Sequence, residues 1–229
     1  MNFSESNVGK PKERFEFDGK AFSRSSLNYL LGLSFLKKLD PKFMPKRTLE
    51  IGGGFGTLGE ILSKSNMVDY KYISLDLPPM FLIAKEYLEK TSCGSASFFN
   101  DFDNPSGELR VSNLPTYTFL PNWRIDDLCG EIDLFVNFIS FQEMEPFIVK
   151  NYIEQIQKLN PKYLLLRNMR EGKQLSTNEK VGVQTPIKSD DYVAYFSEYS
   201  LLEKSVKVFG HKTFDNFHSE VMVLRRKKF

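Results

Sequence analysis

The spacing of hydrophobic and polar residues changes near residue 46 of the chain. Residues 1–22 are polar and mixed in charge. The stretch 23–39, SRSSLNYLLGLSFLKKL, then places apolar residues at helical spacing behind a candidate N-cap at Ser23. We therefore predict that residues 1–45 are an N-terminal extension that ends in one amphipathic helix.

Short apolar runs alternate with helical stretches in the rest of the chain. This alternation is typical of a parallel sheet whose strands are joined by crossover helices. The predicted strands are 47–51, 71–75, 117–120, 132–138, 162–167, 203–209 and 218–225. The predicted helices between them are 57–65, 79–90, 142–158 and 190–199.

The last two predicted strands, EKSVKVF and HSEVMVLR, have only the polar connection GHKTFDNF between them. Because no crossover helix separates them, they should form an antiparallel hairpin. The fold class that follows is α/β. We expect a Rossmann-like three-layer sandwich over residues 46–229, with a seven-stranded, mostly parallel sheet and an antiparallel C-terminal hairpin strand.

Two of the predicted connections are unusually long, at residues 91–116 and 168–189. Loops of this length inside a compact domain are functional lids or disordered inserts. We expect residues 168–189 and the N-terminal segment to contact a bound substrate and to become ordered when it binds, since loops on a fixed scaffold carry specificity.

Composition narrows the function classes. The 229 residues are 41% hydrophobic and 26% charged, which is enough for a full core, and the net charge of +2 gives no field that would indicate a nucleic-acid partner. No apolar run approaches 18 residues, so we expect no membrane span and a cytoplasmic location. Cys93 and Cys129 have no partners at metal-ligand spacing and are predicted to be reduced, structural thiols.

The stretch TLEIGGGFGTLGE, residues 48–60, carries the most informative motif. Its Gly54-x-Gly56-x-x-Gly59 pattern lets a chain turn sharply after a strand and lets a ligand lie against main-chain N–H groups at a helix start. Asp76 ends the next predicted strand, where a carboxylate fixes ribose hydroxyls. NAD and S-adenosylmethionine both satisfy this pattern.

The residue before the glycines favours the second cofactor. Glu50 would lie beside the pyrophosphate of NAD, which is electrostatically unfavourable. S-adenosylmethionine has no phosphate and carries a sulfonium and an ammonium group, so a nearby carboxylate stabilises it. In an alternative interpretation, Glu50 braces the loop by accepting its N–H groups, which leaves the choice of cofactor unchanged.

The chain from about residue 24 to residue 229 resembles the class I S-adenosylmethionine-dependent methyltransferases, in the motifs LEIGGGFG and YISLDLPP. With DLFVNFISFQEM and FDNFHSEVMVLRR, it is more narrowly similar to the sugar O-methyltransferases of bacterial surface-polysaccharide loci. The resemblance implies S-adenosylmethionine as cofactor. The cofactor-binding residues predicted from the motifs and the resemblance are Glu50, Gly52, Gly53, Gly54, Gly56, Asp76, Leu77 and Trp123.

Methyl transfer to a hydroxyl needs a base near the carboxyl ends of the strands. The candidates are Glu143, which follows the fourth predicted strand, and His211 and His218, in and beside the last hairpin connection. We rank His211 first, because an imidazole accepts a proton near neutral pH without tuning. The segments NFISFQE and RNMREG offer too few carboxylates for a Mg²⁺ site, so we predict no metal.

The predicted activity is therefore S-adenosylmethionine-dependent O-methylation of a sugar or glycan precursor in polysaccharide biosynthesis, where the sugar is implied by the family. One alternative is an NAD-dependent oxidoreductase, which Glu50 and the C-terminal hairpin disfavour. Another is a methyltransferase-like protein that binds a partner without catalysis.

Overall fold

The computed structural model describes residues 3–65, 67–92, 98–100, 107–205 and 218–227 of the chain. It divides into two compact units, Met1–Leu128 and Cys129–Phe229. The predicted class, α/β with a mostly parallel central sheet, is confirmed. Within the described part of the chain, no helix has the length and apolar character that crossing a bilayer requires.

The first unit places three helices around parallel strands. Its strands are β1 (Phe15–Phe17), β2 (Lys20–Phe22), β3 (Arg47–Ile51), β4 (Lys71–Asp76), β5 (Phe98–Asn100), β6 (Leu109–Arg110), β7 (Tyr117–Pro121) and, at its boundary, β8 (Leu128–Cys129). Its helices are α1 (Arg24–Leu39), α2 (Thr57–Ser63) and α3 (Met80–Thr91). The parallel strands are ordered β3-β4-β7-β5, and β1 and β2 form a separate antiparallel hairpin.

The strands of this unit follow from the apolar runs predicted at 47–51, 71–75 and 117–120. Nearly every residue of β3, β4 and β7 is buried, as expected where helices cover a parallel sheet. Asp76 of β4 is paired in register with Pro121 of β7, so both strands end at the same edge. That edge carries the loops analysed below.

Buried carboxylates fasten the N-terminal segment to the helices of the first unit. The predicted cap is confirmed, since the Ser23 side chain accepts from the Ser26 backbone N–H at 3.1 Å. The buried Glu5 carboxylate accepts from the Ser23 backbone and, at 2.8 Å, from the Ser26 hydroxyl. Glu60 of α2 accepts from the backbone N–H of Ser6 at 2.8 Å. The segment before β1 is thus packed into the unit.

The second unit contains the predicted C-terminal hairpin. Its elements are β9 (Leu134–Phe138), α4 (Pro146–Lys158), β10 (Tyr163–Met169), α5 (Ser189–Tyr195), β11 (Tyr199–Ser205) and β12 (Ser219–Arg226). The strand order is β11-β12-β10-β9, with β12 antiparallel to both of its neighbours and β9 parallel to β10. The hairpin prediction is confirmed by the antiparallel pairing of β11 with β12.

Two boundaries in this unit differ from the sequence prediction. The helix expected at 142–158 begins at Pro146, because proline is favoured at the first helical position and forces the preceding Glu145 into an extended conformation. The sixth predicted strand, 203–209, is observed at Tyr199–Ser205, directly after a helix that ends at Tyr195. Residues 206–217, which include the predicted connection, lie outside the described residues.

The long segment between β10 and α5 is fixed to the start of α4. Glu145 accepts hydrogen bonds from the backbone N–H groups of Gln184, at 2.7 Å, and Thr185, at 3.1 Å. The connection that the sequence predicted as a lid or an insert therefore has a defined main-chain anchor. Its role in binding a substrate stays a prediction.

Gly59 determines how closely α2 approaches its neighbours in the first unit. A Cβ at this position would lie 2.5 Å from Leu88 Cδ1 on α3 and 3.0 Å from Tyr72 Cε1 on β4. Leu88 and Tyr72 are themselves fully buried and have little room to move. The last glycine of the motif therefore serves helix packing.

We expect Gly59→Ala to lower the free energy of unfolding by about 1–3 kcal/mol, because the overpacking outweighs the gain in helix propensity. Urea unfolding of the wild type, Gly59→Ala, Leu88→Ala and the double variant measures this effect. The double variant should be more stable than the sum of the single losses predicts, since each change relieves the other. Strict additivity, or an unaffected Gly59→Ala variant, would contradict the packing explanation.

Candidate functional site

The glycine loop, Gly52–Gly56, connects β3 to α2 through left-handed backbone conformations. Gly52, Gly54 and Gly56 have φ angles of 75°, 60° and 97°, which residues with a Cβ rarely adopt. The loop is held to β4 by a 2.8 Å bond from Gly52 N–H to the Leu75 carbonyl. A Cβ built at Gly54 would meet no heavy atom within 4 Å outside its chain neighbours, so the space beside Gly54 is open.

Asp76 ties the end of β4 to this loop. Its Oδ2 accepts from the Gly54 backbone N–H at 2.9 Å, and its Oδ1 accepts from the Leu77 backbone N–H at 2.7 Å. Burial raises the pKa of Asp76, and the two backbone hydrogen bonds counteract part of that rise. Pro79 is the N-cap of α3, and no side chain, including that of Asp76, caps the helix.

Large apolar side chains are exposed at the same edge of the first unit. Leu77, which follows β4, is 60% exposed, and Trp123, which follows β7, is 61% exposed. Phe55 of the glycine loop is also partly exposed and lies edge-on to Tyr87, with ring centroids 5.3 Å apart. Trp123 is thus not a core residue. Exposed apolar groups beside a glycine loop suit the flat face of a heterocycle.

Glu50 lies beneath the glycine loop and is completely buried. One carboxylate oxygen accepts from the Tyr29 hydroxyl at 2.6 Å, and the other accepts from the Tyr72 hydroxyl. A Cβ at Gly53 would approach Glu50 Oε2 to 2.6 Å, so only glycine fits above the carboxylate. Burial raises the pKa of Glu50 to about 7, although both tyrosine hydrogen bonds act in the opposite direction.

A histidine and a carboxylate meet at the carboxyl end of β10 in the second unit. His218 Nδ1 is 2.7 Å from Glu171 Oε1, and the backbone N–H of His218 donates to Glu171 Oε2 at 3.0 Å. Arg170 donates to the same Oε1 at 2.7 Å. Partial desolvation opposes ionisation of Glu171, but the hydrogen bonds from His218 and Arg170 outweigh it and lower the pKa to about 2. The ionised carboxylate orients the imidazole.

The polar residues that follow β9 form a buried network with the end of β10. Asn137 bonds to Ser140 at 2.6 Å, and its side-chain oxygen accepts from the side chain of Asn168 at 3.4 Å. Gln142 donates its N–H to Asn168 and accepts from the backbone N–H of Met169 at 2.7 Å. These amides support the turn after β9.

The other two predicted bases are Glu143 and His211. Glu143 is 60% exposed and lies 3.5 Å from Lys173. His211 lies outside the described residues. Among the described histidines, cysteines and carboxylates, no group of three is arranged to hold a metal ion.

Sequence reasoning missed Glu171, Tyr29 and Tyr72. Glu171 stands in the RNMREG segment, whose carboxylates the sequence analysis weighed only as metal ligands. Its proximity to His218 follows from the antiparallel pairing of β10 with β12, which places Met169 opposite Ser219. The two tyrosines carry no local signal, because a buried aromatic residue on a helix or a strand is usually core.

No protein-family model matches the chain, and no curated protein sequence matches it. Solved structures share its fold. TehB from Haemophilus influenzae is 16% identical, with a TM-score of 0.53, over 85% of this chain and 61% of TehB, so the chain spans less than two thirds of that protein.

Two methyltransferase structures are similar at the same level. Magnesium protoporphyrin IX methyltransferase (ChlM) from Synechocystis PCC 6803, with bound S-adenosylmethionine, is 13% identical over 89% of this chain and 80% of its own, with a TM-score of 0.57. The mitomycin 7-O-methyltransferase MmcR is 12% identical over 86% of this chain and 54% of its own, with a TM-score of 0.52. The chain therefore shares the fold of these methyltransferase structures.

The raised pKa of Glu50 makes stability depend on pH. Between its ordinary pKa of 4.5 and about 7, the folded protein keeps a proton that the unfolded chain releases. The stability gained from this protonation is complete below pH 4.5 and is lost as the pH rises through 7. From pH 5 to pH 8, Glu50 should lower the free energy of unfolding by about 2–3 kcal/mol.

Glu50→Gln should remove this pH dependence while it keeps a side chain that bonds both tyrosines. The measurement is urea unfolding of the wild type and the variant at pH 5 and pH 8. Glu89→Gln, on the exposed surface of α3, is the control and should follow the wild type. An equal slope in the wild type and Glu50→Gln would show that Glu50 titrates normally.

Proposed function

We propose that this protein is an S-adenosylmethionine-dependent methyltransferase whose cofactor lies over the glycine loop. The observation that carries the proposal is the bond between Gly54 N–H and Asp76, beneath open space and beside the exposed Leu77 and Trp123. Asp76 has lone pairs left for two ribose hydroxyls, and the apolar side chains suit an adenine face. When bound, the cofactor supplies a methyl group on a sulfonium.

The buried Glu50 supports this cofactor over NAD. A carboxylate directly under Gly53 would repel a pyrophosphate and attract a sulfonium or an ammonium group. The fold likeness supports the same choice, since ChlM, which has this fold, was solved with bound S-adenosylmethionine. Glu50, Gly52, Gly53 and Gly56 would act through the shape and charge of the loop.

We further propose that the acceptor is a hydroxyl, with a sugar or glycan precursor as the substrate class. The support for a hydroxyl is the Glu171–His218 pair. His218 Nδ1 lies 2.7 Å from Glu171 Oε1 and 2.9 Å from Arg170 Nη2. When Nδ1 carries the proton it donates to Glu171, and Nε2 is then the proton acceptor. The support for a sugar is the sequence resemblance. His218 with Glu171 takes precedence over His211 and Glu143 in this proposal, because a carboxylate lies 2.7 Å from the His218 imidazole, whereas the Glu143 side chain is 60% exposed.

The cofactor proposal predicts that Asp76→Ala weakens binding of S-adenosylhomocysteine by about 1.5–3 kcal/mol, because a charged acceptor of the ribose hydroxyls is lost. Isothermal titration calorimetry measures the dissociation constant. Glu86→Gln, an exposed charge change on α3, should leave it unchanged. An unchanged constant for Asp76→Ala, or binding of NAD without binding of S-adenosylhomocysteine, would refute the proposal.

The base proposal predicts that His218→Ala lowers kcat by roughly 10²–10⁴ and leaves cofactor affinity near that of the wild type. Transfer of a labelled methyl group to a panel of nucleotide sugars identifies the acceptor for this assay. Glu171→Gln should lower kcat less than His218→Ala, because the hydrogen bond is kept and the charge is lost. Glu143→Gln is the control. If His218→Ala keeps the wild-type kcat and His211→Ala or Glu143→Gln loses it, the base is the residue changed in the inactive variant.

A further inference from the structure

Three buried side chains from separate elements converge beneath the glycine loop. Tyr29 comes from α1, Glu50 from β3 and Tyr72 from β4, and all three are less than 8% exposed. A Cβ at Gly53 would come within 2.6 Å of Glu50 and 3.0 Å of the Tyr72 hydroxyl. The loop therefore rests directly on this group, which we call the tyrosine-carboxylate cluster.

The donors in this cluster are neutral. A buried carboxylate must be hydrogen-bonded, and a lysine or arginine partner would satisfy it but would also cancel its charge. Two phenol hydroxyls satisfy one oxygen each and leave the net negative charge in place. Asp76, at the end of β4, also acts on Glu50 and adds to the negative potential.

We propose that Tyr29 and Tyr72 are positioning residues, which hold the Glu50 carboxyl group in place under Gly53 and favour its ionised form for the cationic end of the cofactor. This inference rests on the proposed function and adds a role for α1, which precedes the glycine motif. Tyr72 remains a donor, because burial and the charge of Glu50 raise its pKa. Because Glu50 has no exposed surface, its charge would act on the cofactor across the glycine loop and without direct contact.

Cofactor binding and ionisation of Glu50 are then coupled. The pKa of Glu50 is raised to about 7, so a large fraction of the carboxyl is neutral in slightly acidic solution. A cation placed over the loop favours the ionised form, and Glu50 releases its proton to solvent as the ligand binds. Binding should therefore weaken as the pH falls through 7.

Binding of S-adenosylmethionine and S-adenosylhomocysteine can be compared to separate the charge interaction with Glu50 from contacts that both ligands share. S-adenosylmethionine carries a sulfonium and an ammonium group, whereas S-adenosylhomocysteine keeps only the ammonium. The pH dependence of binding should therefore be steeper for S-adenosylmethionine. The preference of the protein for S-adenosylmethionine should also decrease in Glu50→Gln, which has no charge at this position.

The experiment is calorimetric titration with S-adenosylmethionine and S-adenosylhomocysteine between pH 6 and pH 8.5. For the wild type, the Kd of S-adenosylmethionine should be about tenfold higher at pH 6 than at pH 8. Tyr29→Phe and Tyr72→Phe each remove a donor that favours the ionised carboxylate. In both variants, the pH at which S-adenosylmethionine binding is half weakened should be higher than in the wild type. At pH 7, their Kd for S-adenosylmethionine should be about fivefold above that of the wild type.

Tyr199→Phe is the matched control, because it deletes another buried tyrosine hydrogen bond, to the Pro161 carbonyl, in the second unit. It should leave the binding midpoint unchanged even if it lowers stability. If Tyr29→Phe and Tyr72→Phe still bind tightly, and if the midpoint of the pH dependence of binding is the same as in the wild type, the positioning role is overturned. The proposed function would then stay intact. Failure of the wild type to bind either ligand would overturn the proposed function and this inference with it.

Discussion

The first unit depends on one requirement, which is that the carboxylate of Glu50 be hydrogen-bonded where no water reaches it. Meeting this requirement fixes Tyr29 on α1 and Tyr72 on β4. It also restricts position 53 to glycine, since any side chain there would collide with the carboxylate. The N-terminal helix, the first two parallel strands and the glycine loop are therefore specified together.

Acidic side chains elsewhere in the protein also stabilise local structure, because they accept hydrogen bonds from backbone N–H groups. Glu5 accepts from the start of α1, Glu145 from the segment before α5, and Glu171 from the start of β12. Each of these carboxylates satisfies N–H groups that no helix or strand ladder pairs. The same bonds that order the irregular segments place Glu171 beside His218, so structural support and candidate chemistry share the same atoms.

The sequence predicted seven of the strands in the central sheet, because apolar periodicity is a local signal that buried strands carry strongly. It missed β5, which lies inside the predicted connection 91–116. It identified Asp76, whose place at a strand end is readable from the motif. The start of β11 was predicted four residues late, since the boundary depends on where α5 stops packing. Tyr29 and Glu171 could not be predicted, because their partners are brought together only by tertiary packing. The sugar acceptor stays a prediction from the resemblance alone.

The anchoring of residues 184 and 185 by Glu145 has an evolutionary consequence. The carboxylate binds their backbone N–H groups and not their side chains, so it can hold the segment with any residue except proline at those two positions. Substitutions at the exposed residues 175–181 leave these two hydrogen bonds to Glu145 in place. The surface between β10 and α5 can therefore change in sequence by drift, while the strands and helices of the fold stay under selection. The segment is accordingly a natural junction for chimaeras that exchange this surface between related proteins.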